Sequence, residues 1–93
     1  MKMSVCSIFD SCAEIYMRPF FAQTPQQAMR LFMDERFREG SDIGKHPSDY
    51  SLFHLGYFND STAEFELFSS PKCLARAHEL TTNVVEMENV NNA

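Results

Sequence analysis

Tryptophan is missing from this 93-residue chain, and glycine is scarce, with three copies at positions 40, 44 and 56. Three scattered glycines make no phosphate-cradling loop of the kind nucleotide-binding folds use. Cysteine is equally thin. Cys6, Cys12 and Cys73 show no C-x-x-C spacing and gain no paired ligands from His46, His54 and His78. A structural zinc site needs four ligands at short, paired spacings, so these thiols are expected to be reduced and buried. No apolar run approaches the roughly 20 residues that span a bilayer, and no apolar segment follows the charged start as a secretory leader requires. The chain therefore reads as intracellular, with no membrane partner. Positive charge is also short: eight Lys and Arg face thirteen Asp and Glu, a net charge of −5. Proteins that hold nucleic acid mainly by its phosphates carry a basic excess. Broad, sequence-blind DNA affinity is disfavoured, and only a local arginine cluster stays open.

What is plentiful is phenylalanine, at nine copies, and methionine, at six. The length suits one domain with a small core that self-association would support. Lys2 to Phe9 alternates loosely, with Met3, Val5 and Phe9 on one side and Cys6 and Ile8 on the other, which predicts an interior strand. Glu14 to Ala22 is expected to be extended, because Pro19 lacks a backbone donor and holds Arg18 away from helix. A helix starts at Thr24, with Pro25 at its first position and Gln27 completing a capping box. Its inner face carries Ala28, Leu31, Phe32 and Glu35, its surface pairs Arg30–Asp34 and Asp34–Arg38, and Gly40 ends it. Residues 40–49 form a loop, a hairpin follows, and Ser70-Pro71 predicts a second short helix to about Leu80. The fold class is therefore α+β: a small antiparallel sheet, made of the N-terminal strand and a central hairpin, with two helices packed on one face. Residues 1–80 are expected to form a single domain, and residues 81–93 a flexible polar tail.

A two-residue hairpin loop at Asp60-Ser61 pairs Asn59 with Thr62, Gly56 with Phe65 and His54 with Leu67. One face then holds Leu52, His54, Gly56, Phe58, Phe65 and Leu67, and serves as the core. The other holds Phe53, Leu55, Tyr57 and Phe68 beside Glu64 and Glu66. Those carboxylates repel a phosphate backbone, so this second face is read as a self-association surface.

No catalytic constellation assembles. His54 falls on the core face, no Ser, His and Asp stand in a nucleophile context, and Glu64 and Glu66 lack a third ligand. A noncatalytic protein is expected, with no cofactor, no metal and no small-molecule substrate. Arg18, Arg30, Arg36 and Arg38, with Lys45, form the main cationic concentration. They serve either as helix-surface salt bridges or as a small patch for single-stranded DNA, with Tyr16, Phe20 or Phe21 stacking on bases.

Several segments together resemble a known family. They are Arg18-Pro19-Phe20-Phe21, Ala28-Met29-Arg30-Leu31-Phe32, Asp34-Glu35, His46-Pro47-Ser48-Asp49-Tyr50-Ser51-Leu52 and Leu55-Gly56-Tyr57-Phe58-Asn59-Asp60. Their order and spacing resemble the small nonstructural protein of gokushovirus-type microviruses, phages with circular single-stranded DNA. The resemblance covers about residues 1–80, and Ser70-Pro71 with Leu74-Ala75-Arg76 fits its end. It implies a protein of the host bacterial cytoplasm, absent from the mature virion and acting in viral single-stranded DNA synthesis. It brings no catalytic residues. This chain has Ala63 where the resemblance expects glycine after the hairpin turn.

The expected function is a noncatalytic phage accessory protein that self-associates through Phe53, Leu55, Tyr57 and Phe68. It would engage single-stranded DNA or a viral replication protein through Arg18, Phe20, Phe21, Arg30, Arg36 and Arg38. The alternative is an oligomeric protein-interaction module that modulates a host or viral protein without touching DNA.

Overall fold

The structure, a computed structural model, describes residues 1–80, and the tail expected at residues 81–93 lies outside them. Strand β1 (Lys2–Asp10) is interior, as its two-sided apolar pattern predicts. One of its sides pairs antiparallel with β4 (Tyr50–Asn59), which pairs in turn with β5 (Glu64–Arg76). Along its other side, β2 (Ile15–Tyr16) and β3 (Phe20–Ala22) lie one after the other, with Tyr16 opposite Phe9 and Phe21 opposite Val5. Pro19 sits in the gap between them, where the ladder asks no donor of it. The Asp10 carboxylate closes the β1–β2 turn by accepting from the backbone N–H groups of Cys12 and Ala13 at 3.0 and 3.3 Å.

Helix α1 (Pro25–Phe37) begins as its cap residues require: Thr24 Oγ1 accepts from the Gln27 N–H at 3.1 Å. Gln27 reaches one residue further back than a capping box does, accepting from the Gln23 N–H at 2.6 Å. The helix presses Ala28 and Phe32 onto Cys6, Ala22 and Leu52 of the sheet, forming the core. The Arg30–Asp34 and Asp34–Arg38 pairs do not form. Arg38 turns instead to Glu35, with contacts of 2.6 and 3.0 Å. Both partners of that pair are open to solvent, so screening leaves it a weak contributor to stability.

The α+β class holds, with an antiparallel sheet and two helices, but the second helix is not where the sequence placed it. It is α2 (Asp42–Lys45), capped by Ser41 and contributing Ile43 to the core shared with Phe32. Ser41 Oγ joins the two helices, donating to the Glu35 carbonyl at 2.6 Å and accepting from the Gly44 N–H at 2.8 Å. Residues 70–76 stay extended because β4 supplies partners: Phe53 faces Cys73, Leu52 faces Ala75 and Ser51 faces Arg76. Ladder pairing outweighs the local cap-plus-proline signal, and only a 3₁₀ turn at Ala77–Glu79 follows. The thiols also divide: Cys6 is buried, with its pKa pushed up to about 11 by desolvation, whereas Cys12 and Cys73 are exposed.

The hairpin loop has four residues, Asp60 to Ala63, so Asn59 pairs with Glu64, Phe58 with Phe65 and Gly56 with Leu67. The Asn59 carbonyl accepts from Ala63 at 2.7 Å, and Ala63 takes the left-handed conformation, φ 64°. A side chain there is disfavoured by about 1–2 kcal/mol, which explains the glycine expected at this position. Part of that gain is offset by the added freedom of an unfolded glycine. Ala63→Gly is therefore expected to stabilise the protein by about 0.5–1 kcal/mol, measured by chemical denaturation.

Candidate nucleic-acid interface

Three interruptions of register decide which side chains share a face, one of them at Leu74, left unpaired between Cys73 opposite Phe53 and Ala75 opposite Leu52. Between β1 and β4, Leu55 is an extra residue, so Val5 faces Gly56 while Cys6 already faces His54. Between β4 and β5, the stretch from Phe68 to Pro71 bows out of the ladder, which resumes with Lys72 opposite His54. A one-residue bulge exchanges the faces of everything beyond it.

The helix side accordingly carries Cys6, Leu52 and His54, and then Tyr57 and Phe68, whose rings lie 5.0 and 4.9 Å from the His54 ring. Glu64 and Glu66 fall on this same side, opposite Asn59 and Tyr57, and Glu66 meets Lys2 at 2.9 Å.

The outer side carries two aromatic groups. Phe9, Tyr16 and Phe53 have ring centroids 4.7 to 6.2 Å apart. Phe21, Phe58 and Phe65 have centroids 4.8 to 6.3 Å apart. Tyr16, Phe21 and Phe65 are 45%, 46% and 54% exposed, so three rings from three strands present surface to solvent. Among the described strand residues, no carboxylate occupies an outward position. Arg76 is exposed on this side, opposite Ser51 and thus beside the row of Phe9, while Arg18 is exposed in the link between β2 and β3. The arrangement is a sheet surface with open aromatic faces, cations at its margin and its acids behind it.

The two groups of site residues expected from sequence are therefore both divided. Of the expected self-association set, Phe53 lies outward with Phe9 and Tyr16, whereas Tyr57 and Phe68 pack beside His54 on the helix side, and Leu55 is the bulge residue. Of the expected DNA-contacting set, Phe20 packs against the core, and its neighbour Phe21 points the opposite way. Arg30, Arg36 and Arg38 belong to α1, which covers the helix side of the sheet. Arg36 is structurally engaged, donating from Nε to the Ala77 carbonyl at 3.2 Å and lying 4.8 Å from the Phe37 ring centroid. Arg38 is held by Glu35. Arg18 and Phe21 remain on or beside the outer surface. Phe65, Phe58 and Arg76 are additions that the sequence reading missed. The available signal was Gly56, because a glycine inside an apolar strand marks a bulge or a close backbone approach.

The family model of the phage ORF5 protein matches residues 3–80. The chain belongs to this phage family. No curated protein and no solved structure matches it. The family match runs from β1 through the closing 3₁₀ turn and so includes all of the aromatic sheet surface. No helix of the described residues is long and apolar enough to cross a membrane. Among the described residues no group of three or more His, Cys, Asp or Glu is placed to hold a metal ion.

Behind the outer surface, His54 is 4% exposed, and its Nε2 and the Ser4 Oγ are buried without hydrogen-bond partners among the described residues. Burial lowers the His54 pKa from its ordinary value, a hydrogen bond with the Gly56 backbone opposes that shift, and Lys72 adds to it. The unfolded state therefore takes up the His54 proton before the folded state does. This contribution to stability is complete above the unfolded pKa, about 6.5, and is lost as pH falls through that value toward the lower folded pKa. Denaturation midpoints of the wild type are expected to fall between pH 7 and pH 5. In His54→Phe, which keeps a ring between Tyr57 and Phe68, that fall is expected to be smaller.

Proposed function

We propose that this phage protein is a noncatalytic accessory protein of viral single-stranded DNA synthesis, and that it holds single-stranded DNA on the outer face of its sheet. The observation that carries this reading is the set of open rings, Tyr16, Phe21 and Phe65, on a face where no described strand residue points a carboxylate outward. Single-stranded nucleic acid is bound by base stacking on such rings together with cations that follow the backbone. The motif-level resemblance to gokushovirus-type nonstructural proteins supplies the replication setting, the host bacterial cytoplasm and the absence from the mature particle.

The charge balance favours one character for the interaction. With a net charge of −5, the protein relies on stacking more than on phosphates. The affinity should therefore depend only weakly on salt: contacts from Arg18 and Arg76 alone give a slope of log K against log salt of roughly −1.4, at about −0.7 per phosphate. Fluorescence anisotropy of a labelled oligonucleotide, titrated at several salt concentrations, measures it. Arg18→Gln and Arg76→Gln are each expected to weaken binding and to remove about 0.7 from the slope, while Arg30→Gln on α1 leaves both unchanged. Absence of binding at low salt, or loss on Arg30→Gln alone, overturns the proposal. A protein partner retained after nuclease treatment, with no oligonucleotide binding, would favour the interaction-module alternative.

A further inference from the structure

Strand β5 is the outer strand of the sheet. Among the described residues nothing pairs with its far edge, and Glu64 to Leu67 and Ser69 to Cys73 are exposed. An uncovered edge of this length is a template for another strand. Its charges are ordered: Glu64 and Glu66 stand in the first half, Lys72 and Arg76 in the second. A strand that is acidic and then basic is complementary to itself when two copies run antiparallel.

We propose that two copies of the chain pair through β5, antiparallel, about a two-fold axis at Ser69. The faces select that register. Glu66 and Lys72 both lie on the helix side, opposite Tyr57 and His54, and centring on Ser69 brings each Glu66 beside the partner's Lys72. The same register sets outward Phe65 against the partner's Cys73 and Leu67 against the partner's Pro71. Centring on Ser70 instead opposes helix-side Glu64 to outward Arg76 and leaves Glu66 against Leu74. Centring between Ser69 and Ser70 mismatches the faces at Glu66.

Pro71 has no N–H to give. In this register it lies among the alternate residues whose backbone groups face the free edge, because those of Glu66 and Lys72 bond to β4; each Leu67–Pro71 pair thus keeps one ladder bond and each Phe65–Cys73 pair keeps two. Glu66 already meets Lys2, and Lys72 lies 4.3 Å from the Phe68 ring centroid, but both contacts are exposed and exchangeable. Pairing covers Phe65 and Leu67, which are 54% and 64% exposed. It joins two sheets into one, with both aromatic surfaces on the same side. The inference does not depend on DNA binding.

Sedimentation of the wild type and three variants tests it, with circular dichroism confirming that each is folded. Glu66→Lys and Lys72→Glu each place like charges together twice per dimer and should weaken dimerisation roughly tenfold, and the double variant should restore it. In a Cys12→Ser, Cys73→Ser background, Ser69→Cys should cross-link to itself on mild oxidation. Cα atoms of facing residues in an antiparallel pair lie about 4.5–5.5 Å apart, within disulfide reach. Ser61→Cys, in the hairpin turn, should not cross-link. A wild type that is monomeric at high micromolar concentration overturns the proposal. So does a double variant that fails to recover, or a dimer in which Ser69→Cys does not cross-link. A monomer that binds oligonucleotide removes this inference and leaves the proposed function standing; a dimer that ignores oligonucleotide does the reverse.

Discussion

Gly56→Ala is expected to destabilise the protein by about 2–6 kcal/mol, or to prevent folding. Gly56 has φ 155°, a region side chains rarely occupy, which costs about 1–3 kcal/mol. A Cβ there would also overlap the Glu66 carbonyl oxygen and come within 2.7 Å of the Leu67 Cα. Both are backbone atoms of the paired strand, so relief requires β5 to move, and overpacking of this kind adds about 1–3 kcal/mol. For a domain of this size, 3 kcal/mol lowers the melting temperature by roughly 12 °C or more, readable by thermal circular dichroism. Gly40→Ala is the control: its φ is 85°, but nothing lies within 4 Å of the added Cβ. Its loss should be near 1 kcal/mol. Equal losses at both positions would show that close approach at Gly56 is not what the glycine serves.

Replacing Tyr16 and Phe65 together by alanine should reduce affinity for single-stranded DNA about 100-fold. Base stacking on an aromatic side chain is worth about 1–3 kcal/mol per base by alanine substitution, and two such losses near the lower half of that range give the factor. The rings come from strands on opposite sides of β1 and β4, so the loss reports on the surface rather than on one strand. Each is about half exposed, and the fold should survive. Leucine at both positions keeps apolar cover on the strands while removing the flat faces, and should lose nearly as much binding. Full affinity in the leucine variant would mean the rings act only as apolar filler.

Local chemistry made much of the fold legible. Thr24, Pro25 and Gln27 announce α1 because capping is settled within four residues. The alternation of Met3, Val5, Cys6, Ile8 and Phe9 announces an interior strand because the strand period is fixed. The phage family was legible in the order of short motifs from Arg18 to Asp60. The candidate surface was not, because it depends on register, which partners decide. A single unpaired residue, Leu55, moves Tyr57 from the supposed open face to the helix side and sends Phe58 outward. That bulge also leaves Glu64 and Glu66, which pair with Asn59 and Tyr57, behind the sheet, removing the objection they raised to a stacking surface. Ser70-Pro71 misled for a related reason: a cap signal is local, whereas strand pairing with Ser51 to Phe53 is not. The arginines were visible, but the Ala77 carbonyl that occupies Arg36 lies 41 residues away in sequence.

The claim that single-stranded DNA lies on the outer face of the sheet is tested most directly by photo-cross-linking to an oligonucleotide carrying halogenated pyrimidines, followed by peptide mapping. Cross-links are expected at Tyr16, Phe21 and Phe65, on β2, β3 and β5. Cross-links confined to α1, or none under conditions where the oligonucleotide is bound, would contradict it.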